Sequence, residues 1–301
     1  MKKVILFGAT GNLGKEIAKE LVLQHYDVTV VVRNKAKAHQ LSQLTSNIIV
    51  ADVTQPATLT DICQGQEIVI SALGKSVSPS DKSKASFRQV DLTGNTHILE
   101  EAVKSRVAKF VYVSAFHAER YPHLEYFKVH HEFSEKLKQS GLDYSIVKPP
   151  AIFSAFIDMI GMAQKGMLIN MGKGDKMTNP IYEGDLAKIC VEAIHQSNAT
   201  IEAGGKVIYT RAQLNEIIQQ EVKPRKKVRS LPLKLFTTML PLIKVVSKNM
   251  FDKFAFFTEV MQHDTIAPLR GEMKFEDYVK QKVQEANGSR SANLPSLTHH
   301  E

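Results

Sequence analysis

The chain has few cysteines and no long hydrophobic run. Its 301 residues include two cysteines, Cys63 and Cys190, which lie far apart and have no neighbouring cluster of His or Cys. This pattern indicates neither a disulfide framework nor a metal site, and we expect neither. No apolar run approaches the roughly 18 residues of a transmembrane helix, and the run after Met1 is too short for a signal peptide. We therefore predict a cytoplasmic protein.

Acidic residues are missing from one stretch. Between Val222 and Phe251 the sequence has eight Lys or Arg residues and no Asp or Glu, and we call this stretch the basic segment. It accounts for the whole formal charge of +8, which is the difference between 39 basic and 31 acidic residues. Such an excess raises nucleic acid or a membrane surface as partners, but no helix-turn-helix, zinc-finger or RNP pattern accompanies it.

The basic segment also contains an apolar run, Leu233 to Val246. We expect an amphipathic helix here that packs over a substrate cleft with its lysines outward. The alternative is that this helix lies on an acidic surface or a membrane.

The first half of the chain alternates short runs rich in Val and Ile with helix-like segments. The runs lack strict alternation, as strands buried on both faces do, and they are residues 4–7, 28–32, 48–51, 68–72, 110–113 and 144–147. The helix-like segments are 12–23, 34–44, 87–104 and 124–139, with a short turn at 58–63. Repeated strand-helix-strand units predict an α/β fold, a Rossmann-type doubly wound parallel sheet.

The second half is less regular. We predict helices at 183–195, 213–222, 233–246, 254–261 and 275–283, a kink at Pro241 and one more strand at 207–210. The first domain is assigned to residues 1–150. A smaller, mainly helical substrate lobe follows at 151–285 and is integrated with the first domain, and residues 286–301 are predicted to be a disordered tail.

A glycine-rich turn follows the first predicted strand directly, and it reads Gly8-Ala9-Thr10-Gly11-Asn12-Leu13-Gly14. Gly8 permits a tight turn, Gly11 lets the backbone approach a diphosphate, and Gly14 allows the next helix to pack closely on the strand. The diphosphate would then lie at the N-terminus of that helix, where free N–H groups and the helix dipole favour an anion. We predict that the whole turn binds a dinucleotide.

The Gly-Ala-Thr-Gly-x-x-Gly spacing resembles that of the short-chain dehydrogenase/reductase superfamily, in its extended and atypical branches. Arg33 and Asn34 end the second strand, where an Asp or Glu would bind the ribose 2′-hydroxyl of NAD. A guanidinium there pairs with a 2′-phosphate, so we predict NADP(H) in preference to NAD(H). The alternative is that Arg33 is only a solvated charge at the end of a strand.

Two more strand ends are similar to the cofactor site of this superfamily. Asp52-Val53 resembles the pair that contacts adenine, and Ala72-Leu73-Gly74 resembles the small-residue turn that lines the central portion of the cofactor. Small residues at the carboxyl ends of parallel strands leave open the crevice in which such sheets bind ligands.

In these reductases a Ser after the fifth strand and a Tyr-x-x-x-Lys on the next helix carry the chemistry. The Tyr donates a proton to the carbonyl, the Lys lowers the pKa of the Tyr and holds the ribose, and the Ser orients the substrate. The resemblance implies Ser114 and Lys128 for two of these roles, with Lys128 also a cofactor contact. Leu124 stands four residues before Lys128, so the standard proton donor is missing. We expect Ser114 or a water, with the nearby Tyr126, to donate the proton instead.

A chain that keeps the cofactor site but lacks this Tyr resembles the NmrA-like, NAD(P)H-binding group, which consists of atypical members of the superfamily. Lys148-Pro149-Pro150 stands where that group has Arg-Pro, with Pro149 expected at the cofactor, and residues 179–187 resemble its Ile-x-x-x-Asp-Leu-Ala element. The similarities cover about residues 1–195.

Two functions stay open. One is an NADPH-dependent oxidoreductase that acts on a small carbonyl, enone or quinone-like substrate. The other is a non-catalytic sensor that binds NADP(H) and reports its redox state to a regulatory protein partner. The missing Tyr favours the sensor, whereas the Met-rich second lobe, which indicates an enclosed pocket, favours the enzyme. A homodimer is compatible with either function.

Overall fold

A parallel sheet forms the centre of the structure, a computed structural model that describes residues 1–292. Eleven strands lie within these residues, namely β1 Lys3–Phe7, β2 Asp27–Val32, β3 Ile48–Val50, β4 Ile68–Ser71, β5 Lys109–Val113, β6 Asp143–Lys148, β7 Ile169–Met171, β8 Met177–Thr178, β9 Ala199–Glu202, β10 Tyr209–Thr210 and β11 Arg229–Leu231. Seven of them form the main sheet in the order β3-β2-β1-β4-β5-β6-β9, and all neighbours are parallel. The predicted Rossmann-like α/β fold is confirmed.

Helices cover both faces of the sheet. Within residues 1–292 the α-helices are α1 Asn12–Leu23, α2 Lys35–Ala38, α3 Asn95–Lys104, α4 Glu125–Lys138, α5 Ile157–Lys165, α6 Glu183–Glu192, α7 Arg211–Val222, α8 Leu233–Val246, α9 Lys248–Val260 and α10 Phe275–Ala292. On one face α1 and α6 pack against Val4 and Leu6 of β1. On the other, α3 and α4 pack in a core with Ile5 and Phe7 of the same strand. Because alternate side chains of β1 enter two cores, its apolar run is unbroken.

The main sheet has one strand more than the sequence predicts. β9 pairs with the outer side of β6, and together with α6 it adds Leu186, Cys190 and Ile201 to the core beneath α1. The main sheet therefore includes a strand that lies beyond residue 150. The run Ala-Thr-Ile-Glu in β9 is too short and too polar to predict a buried strand.

A second core lies outside the main sheet. Helices α5, α7 and α10 pack around the buried side chains of Phe153, Leu214, Ile218, Phe275 and Tyr278. Two small pairings, β7 with β11 and β8 with β10, connect the segments between these helices. This C-terminal region is mainly helical, as predicted, although α5 is not among the predicted helices.

Some local predictions are wrong and one is confirmed with a difference. The helix predicted at 34–44 is only the four residues of α2. The helix predicted at 87–104 is present, and its first part, Arg88–Gly94, is a π-helix that continues into α3. Residues 286–292, predicted as the start of a disordered tail, continue α10, which Tyr278 and Val279 anchor in the second core. The rest of the predicted tail, 293–301, lies outside the described residues.

The end of the basic segment forms a helical hairpin of α8 and α9. Pro241 lies inside α8, which continues past it, and no residue of α8 is buried. The expectation that α8 packs over a cleft is therefore wrong, because α9 takes that place and packs against α4 through Phe256. Among residues 1–292 no helix is both long and apolar enough to cross a membrane.

Candidate functional site

The glycine turn brings three backbone segments into close contact at the end of β1. Gly8 has a φ of +82°, and a Cβ at this position would lie 2.5 Å from the carbonyl oxygen of Ala72. A Cβ on Gly14 would collide with the carbonyl group of Gly8. Both positions therefore require glycine, and Gly8 requires it for its left-handed backbone as well. A Cβ on Gly11 would meet only the Gly8 oxygen, at 3.3 Å.

The N-terminus of α1 is open to an anion. Gly11 precedes the helix, no side chain among residues 1–292 caps it, and its first turn holds no acidic residue. Gly11 and Asn12 are exposed, whereas Ala9 and Leu13 are buried in the core and support the turn from below. The first N–H groups of α1 can therefore bind a diphosphate, as the sequence predicts, and the cradle at Gly11 fits one.

Arg33 and Asn34 lie at the end of β2, beside the glycine turn. The Asn34 side chain caps α2, because its Oδ1 accepts the N–H of Ala36 at 2.9 Å. Arg33 is exposed, and no acidic side chain within residues 1–292 forms an ion pair with it. Its guanidinium is therefore available to a phosphate, whereas the Asn34 amide oxygen is already used by the protein.

The ends of β3 and β4 complete this edge of the sheet. The Asp52 carboxylate accepts hydrogen bonds from the N–H and the hydroxyl of Thr54 at 2.9 and 2.8 Å, which leaves its role mainly structural. The Val53 side chain packs so closely on Gly94 that a Cβ at Gly94 would contact it. The N–H of Ala72 donates to the carbonyl oxygen of Phe7 at 3.1 Å. Leu73 and Gly74 follow directly.

Pro149 ends β6 at the same edge, where its carbonyl oxygen accepts the N–H of Phe116 at 3.2 Å. Because all neighbouring strands of the main sheet are parallel, their carboxyl ends meet there. The predicted dinucleotide contacts at the ends of β1 to β4 and of β6 therefore border one crevice.

The glycine turn gives a matched pair of tests. We expect Gly14→Ala to lower the free energy of unfolding by about 3 kcal/mol, since its Cβ collides with backbone that cannot move aside. Gly11→Ala should change it by less than about 1 kcal/mol and weaken dinucleotide binding by about tenfold or more, since the methyl group occupies the diphosphate cradle. Urea unfolding and NADPH fluorescence titration measure the two effects. Equal loss of stability in both variants would contradict this geometry.

Ser114 follows β5 and is buried. Its N–H donates to the carbonyl oxygen of Val147 at 2.8 Å, and its Oγ lies 3.2 Å from the Oγ of Ser134 on α4. Ser134 in turn donates to the carbonyl oxygen of His130 at 2.7 Å. Ser114 is therefore fixed between β6 and α4 at the expected edge of the sheet.

A buried pair, Tyr112 and His130, lies beneath Ser114. The Tyr112 hydroxyl is 2.6 Å from Nδ1 of His130. Burial lowers the pKa of His130 to about 4, so its imidazole is neutral at pH 7. Burial also raises the pKa of Tyr112, which keeps the phenol protonated. With Tyr112 donating to Nδ1, the remaining imidazole N–H is on Nε2.

Asp91 faces the other nitrogen of this imidazole. Its Oδ1 lies 3.7 Å from Nε2 of His130 and accepts the N–H of Lys75 at 3.0 Å. Asp91 is fully buried within the π-helix, and its Oδ2 has no partner among the described residues. Burial raises the pKa of Asp91 to about 8. A π-helix that holds a buried carboxyl group is a frequent mark of a functional site.

Tyr126 stands one helical turn before His130. The two rings are 4.8 Å apart and edge-to-face, and Phe87 and Phe256 pack against Tyr126 from other sides. Burial, and then the Asp91 charge, raise the pKa of Tyr126. Residues four apart lie on the same face of a helix. Tyr126 and His130 therefore share a face of α4, at the spacing of a Tyr-x-x-x-Lys motif but with His at the position of the Lys.

The structure does not bring Lys128 to this group. Lys128 is exposed, and its Nζ lies 3.9 Å from Oε1 of Glu132, on the face of α4 that also carries Glu125. Two positions along a helix turn a side chain to another face, so Lys128 points away from His130. The ribose-holding role of Lys128 stays a prediction. His130, Tyr112 and Asp91 are absent from the predicted site, although counting four residues on from Tyr126 finds His130.

Comparison with known proteins agrees with this fold. The sequence pattern of a family described as NAD(P)H-binding matches residues 8–197, which is more than half of the chain. A photosystem II assembly factor, Ycf39 of Trieres chinensis, is 23% identical over 84% of this chain and 80% of its own length.

Two solved reductases have similar structures. The NADPH-dependent quinone oxidoreductase QOR2 of Escherichia coli, complexed with NADPH, has a TM-score of 0.70 at 19% identity and covers 92% of this chain and 99% of its own. The triphenylmethane reductase of Citrobacter sp., complexed with NADP(H), has a TM-score of 0.71 at 17% identity and covers 93% and 99%. At these identities the likeness shows the shared fold.

Proposed function

Because this chain belongs to the NAD(P)H-binding family, we propose that it is an NADPH-dependent reductase of a small carbonyl, enone or quinone-like substrate. The observation that carries the proposal is the placement of Tyr126 and His130 one turn apart on α4, the helix to which Ser114 is hydrogen-bonded through Ser134. Two structural neighbours that hold NADPH or NADP(H), one named as a quinone oxidoreductase and one as a triphenylmethane reductase, support it. The two unpaired, buried cysteines are compatible with the cytoplasmic location that we keep as part of the proposal.

The residues of the crevice fit NADPH. The open N-terminus of α1 would hold the diphosphate, and the exposed guanidinium of Arg33 would pair with the 2′-phosphate. When bound, the cofactor supplies a hydride. The protein supplies the binding groups, the orientation and the proton.

Tyr126 is the proposed proton donor. Its raised pKa keeps the phenol protonated at neutral pH, and no cationic side chain lowers this pKa, because His130 is neutral where the family has a lysine. Tyr126 would give its proton to the substrate oxygen as the C=O group is reduced to an alcohol, and water would reprotonate the resulting tyrosinate. Oxidation of the alcohol would need the tyrosinate as base, so the site favours reduction.

Ser114, His130 and Tyr112 are positioning residues in this proposal. Tyr112 holds the His130 ring through the 2.6 Å hydrogen bond, and the ring packs against Tyr126. Ser114, which is held between β6 and α4, would orient the substrate oxygen in this proposal.

A tyrosine substitution tests the catalytic proposal. We expect Tyr126→Phe to lower kcat by about a hundredfold or more and to leave the Kd of NADPH unchanged, because the variant loses only the transferable proton. Tyr121→Phe is the matched control, since Tyr121 is a half-buried tyrosine of the same aromatic cluster. The measurement is NADPH absorbance with quinones, enones and aldehydes as substrates. A full rate in Tyr126→Phe would contradict the assignment of the donor.

A second candidate function is the non-catalytic NADP(H) sensor. It is favoured by the way α9 covers Tyr126, since the Phe256 ring lies 4.6 Å from it, and by the likeness to a protein named as an assembly factor. If none of the substrates is reduced while NADPH and NADP⁺ bind with clearly different affinities, the sensor replaces the reductase.

The preference for NADP(H) is tested at Arg33. We expect Arg33→Ala to weaken NADPH binding by between tenfold and a hundredfold, the value of a lost charge-assisted hydrogen bond, and to leave NADH binding unchanged. Arg106→Ala is the control, because Arg106 is an exposed arginine that precedes β5, at the opposite edge of the sheet. Fluorescence titration measures both cofactors. Equal affinities for NADPH and NADH in the unmodified protein would contradict the preference.

A further inference from the structure

Helix α8 is apolar on the side that faces solvent. Four aliphatic or thioether side chains repeat at helical spacing along one face, and we call them the α8 stripe: Leu235, Met239, Leu242 and Val246, which are 49%, 48%, 65% and 81% exposed. Val245 beside them is 86% exposed. A contiguous apolar patch of this kind marks an interaction surface, unlike a single exposed leucine.

The hairpin holds this stripe outward. Leu240, on the opposite face of α8, packs with Phe251 and Phe256 of α9. Helix α9 is tied to the loop after β4, because Asn249 donates to the carbonyl oxygen of Lys84 at 2.8 Å and the buried Lys253 donates to that of Ser78 at 2.7 Å. The stripe is therefore presented on a fixed helix.

Basic residues without an acidic partner precede α8 in the chain. Three basic residues of the segment are engaged: Lys223 and Lys226 donate to carbonyl oxygens at and just after the end of α5, at 2.5 and 2.6 Å, and Lys248 forms an ion pair with Asp252 of α9 at 2.8 Å. Arg225, Lys227 and Arg229 are exposed, and no described acidic residue forms an ion pair with them. The basic segment holds no acidic residue at all.

We propose that the α8 stripe and the exposed basic residues that precede α8 bind the surface of lipid bilayers that contain anionic lipid. An apolar face beside Lys and Arg is the composition of helices that lie in a membrane interface, and anionic headgroups attract basic residues close to the surface. A second copy of the chain meeting the same face would bring two sets of positive charge together, which is unfavourable. Duplex DNA would satisfy the basic residues but leave the stripe in water.

The test is flotation of the full chain with vesicles of phosphatidylcholine alone or mixed with phosphatidylglycerol. We expect binding to the mixed vesicles that weakens with salt. Leu242→Gln/Val246→Gln should lower the partition coefficient by about tenfold or more. Arg225→Gln/Lys227→Gln should lower it by a similar factor for mixed vesicles alone. Leu23→Gln, at a leucine 72% exposed at the end of α1, is the control and should bind like the unmodified protein.

Unfolding midpoints and NADPH binding verify that all variants are folded, since every substituted side chain is exposed. The proposal is overturned if the unmodified protein does not float with mixed vesicles, or if Leu242→Gln/Val246→Gln floats as well as Leu23→Gln does. Retention on duplex DNA without vesicle binding would overturn it as well and assign the basic segment to nucleic acid. Self-association that the stripe variant abolishes, again without vesicle binding, would assign the face to a second copy.

Discussion

The close backbone contact between the glycine turn and the end of β4 is the constraint on which the rest of the site depends. Gly8, Gly14 and Ala72 approach one another so closely that no Cβ fits between them. This contact seats α1 directly on β1 and points its N-terminus into the crevice. It also fixes the start of the loop that leads from Ala72 to Lys75, whose N–H binds Asp91. This one contact thus positions both the edge of the sheet where we propose that the cofactor binds and the buried polar group of Asp91, His130 and Tyr112.

The buried hydrogen-bonded pair of Tyr112 on β5 and His130 on α4 carries no formal charge on the histidine. Tyr112 and His130 satisfy each other in an environment that disfavours ionisation of either. A lysine in place of His130 would lie near the buried Asp91 and would lower the pKa of Tyr126 if it were charged. The neutral imidazole leaves that pKa high, which suits a proton donor better than a base. The neutral state of His130 and the proposed direction of the reaction thus share one physical cause, the burial of this group.

Much of the fold follows from local sequence pattern. The apolar runs predict β1 to β6 closely, and the glycine spacing predicts both the turn and the start of α1. β9 is not predictable in this way, because four residues with little apolar character become a strand only when β6 offers an edge. The burial of α9 and the exposure of α8 also escape prediction, since both helices have apolar faces and tertiary contacts decide which one is covered. At the site, the sequence search starts from Lys128 and finds Leu124 four residues before it, so it misses the pair of Tyr126 and His130. The residue types alone do not tell that Lys128 is exposed and His130 is buried.

A crystal structure of the protein with NADPH tests the central claim most directly, through the distance between the Tyr126 hydroxyl and the nicotinamide C4 atom. The account predicts that the diphosphate lies on Gly11 and the first turn of α1, and that nicotinamide C4 faces Tyr126 and Ser114 with space for a small substrate between them. A nicotinamide bound away from α4, or one whose ribose is held by Lys128 while Tyr126 stays covered by Phe256, would contradict it.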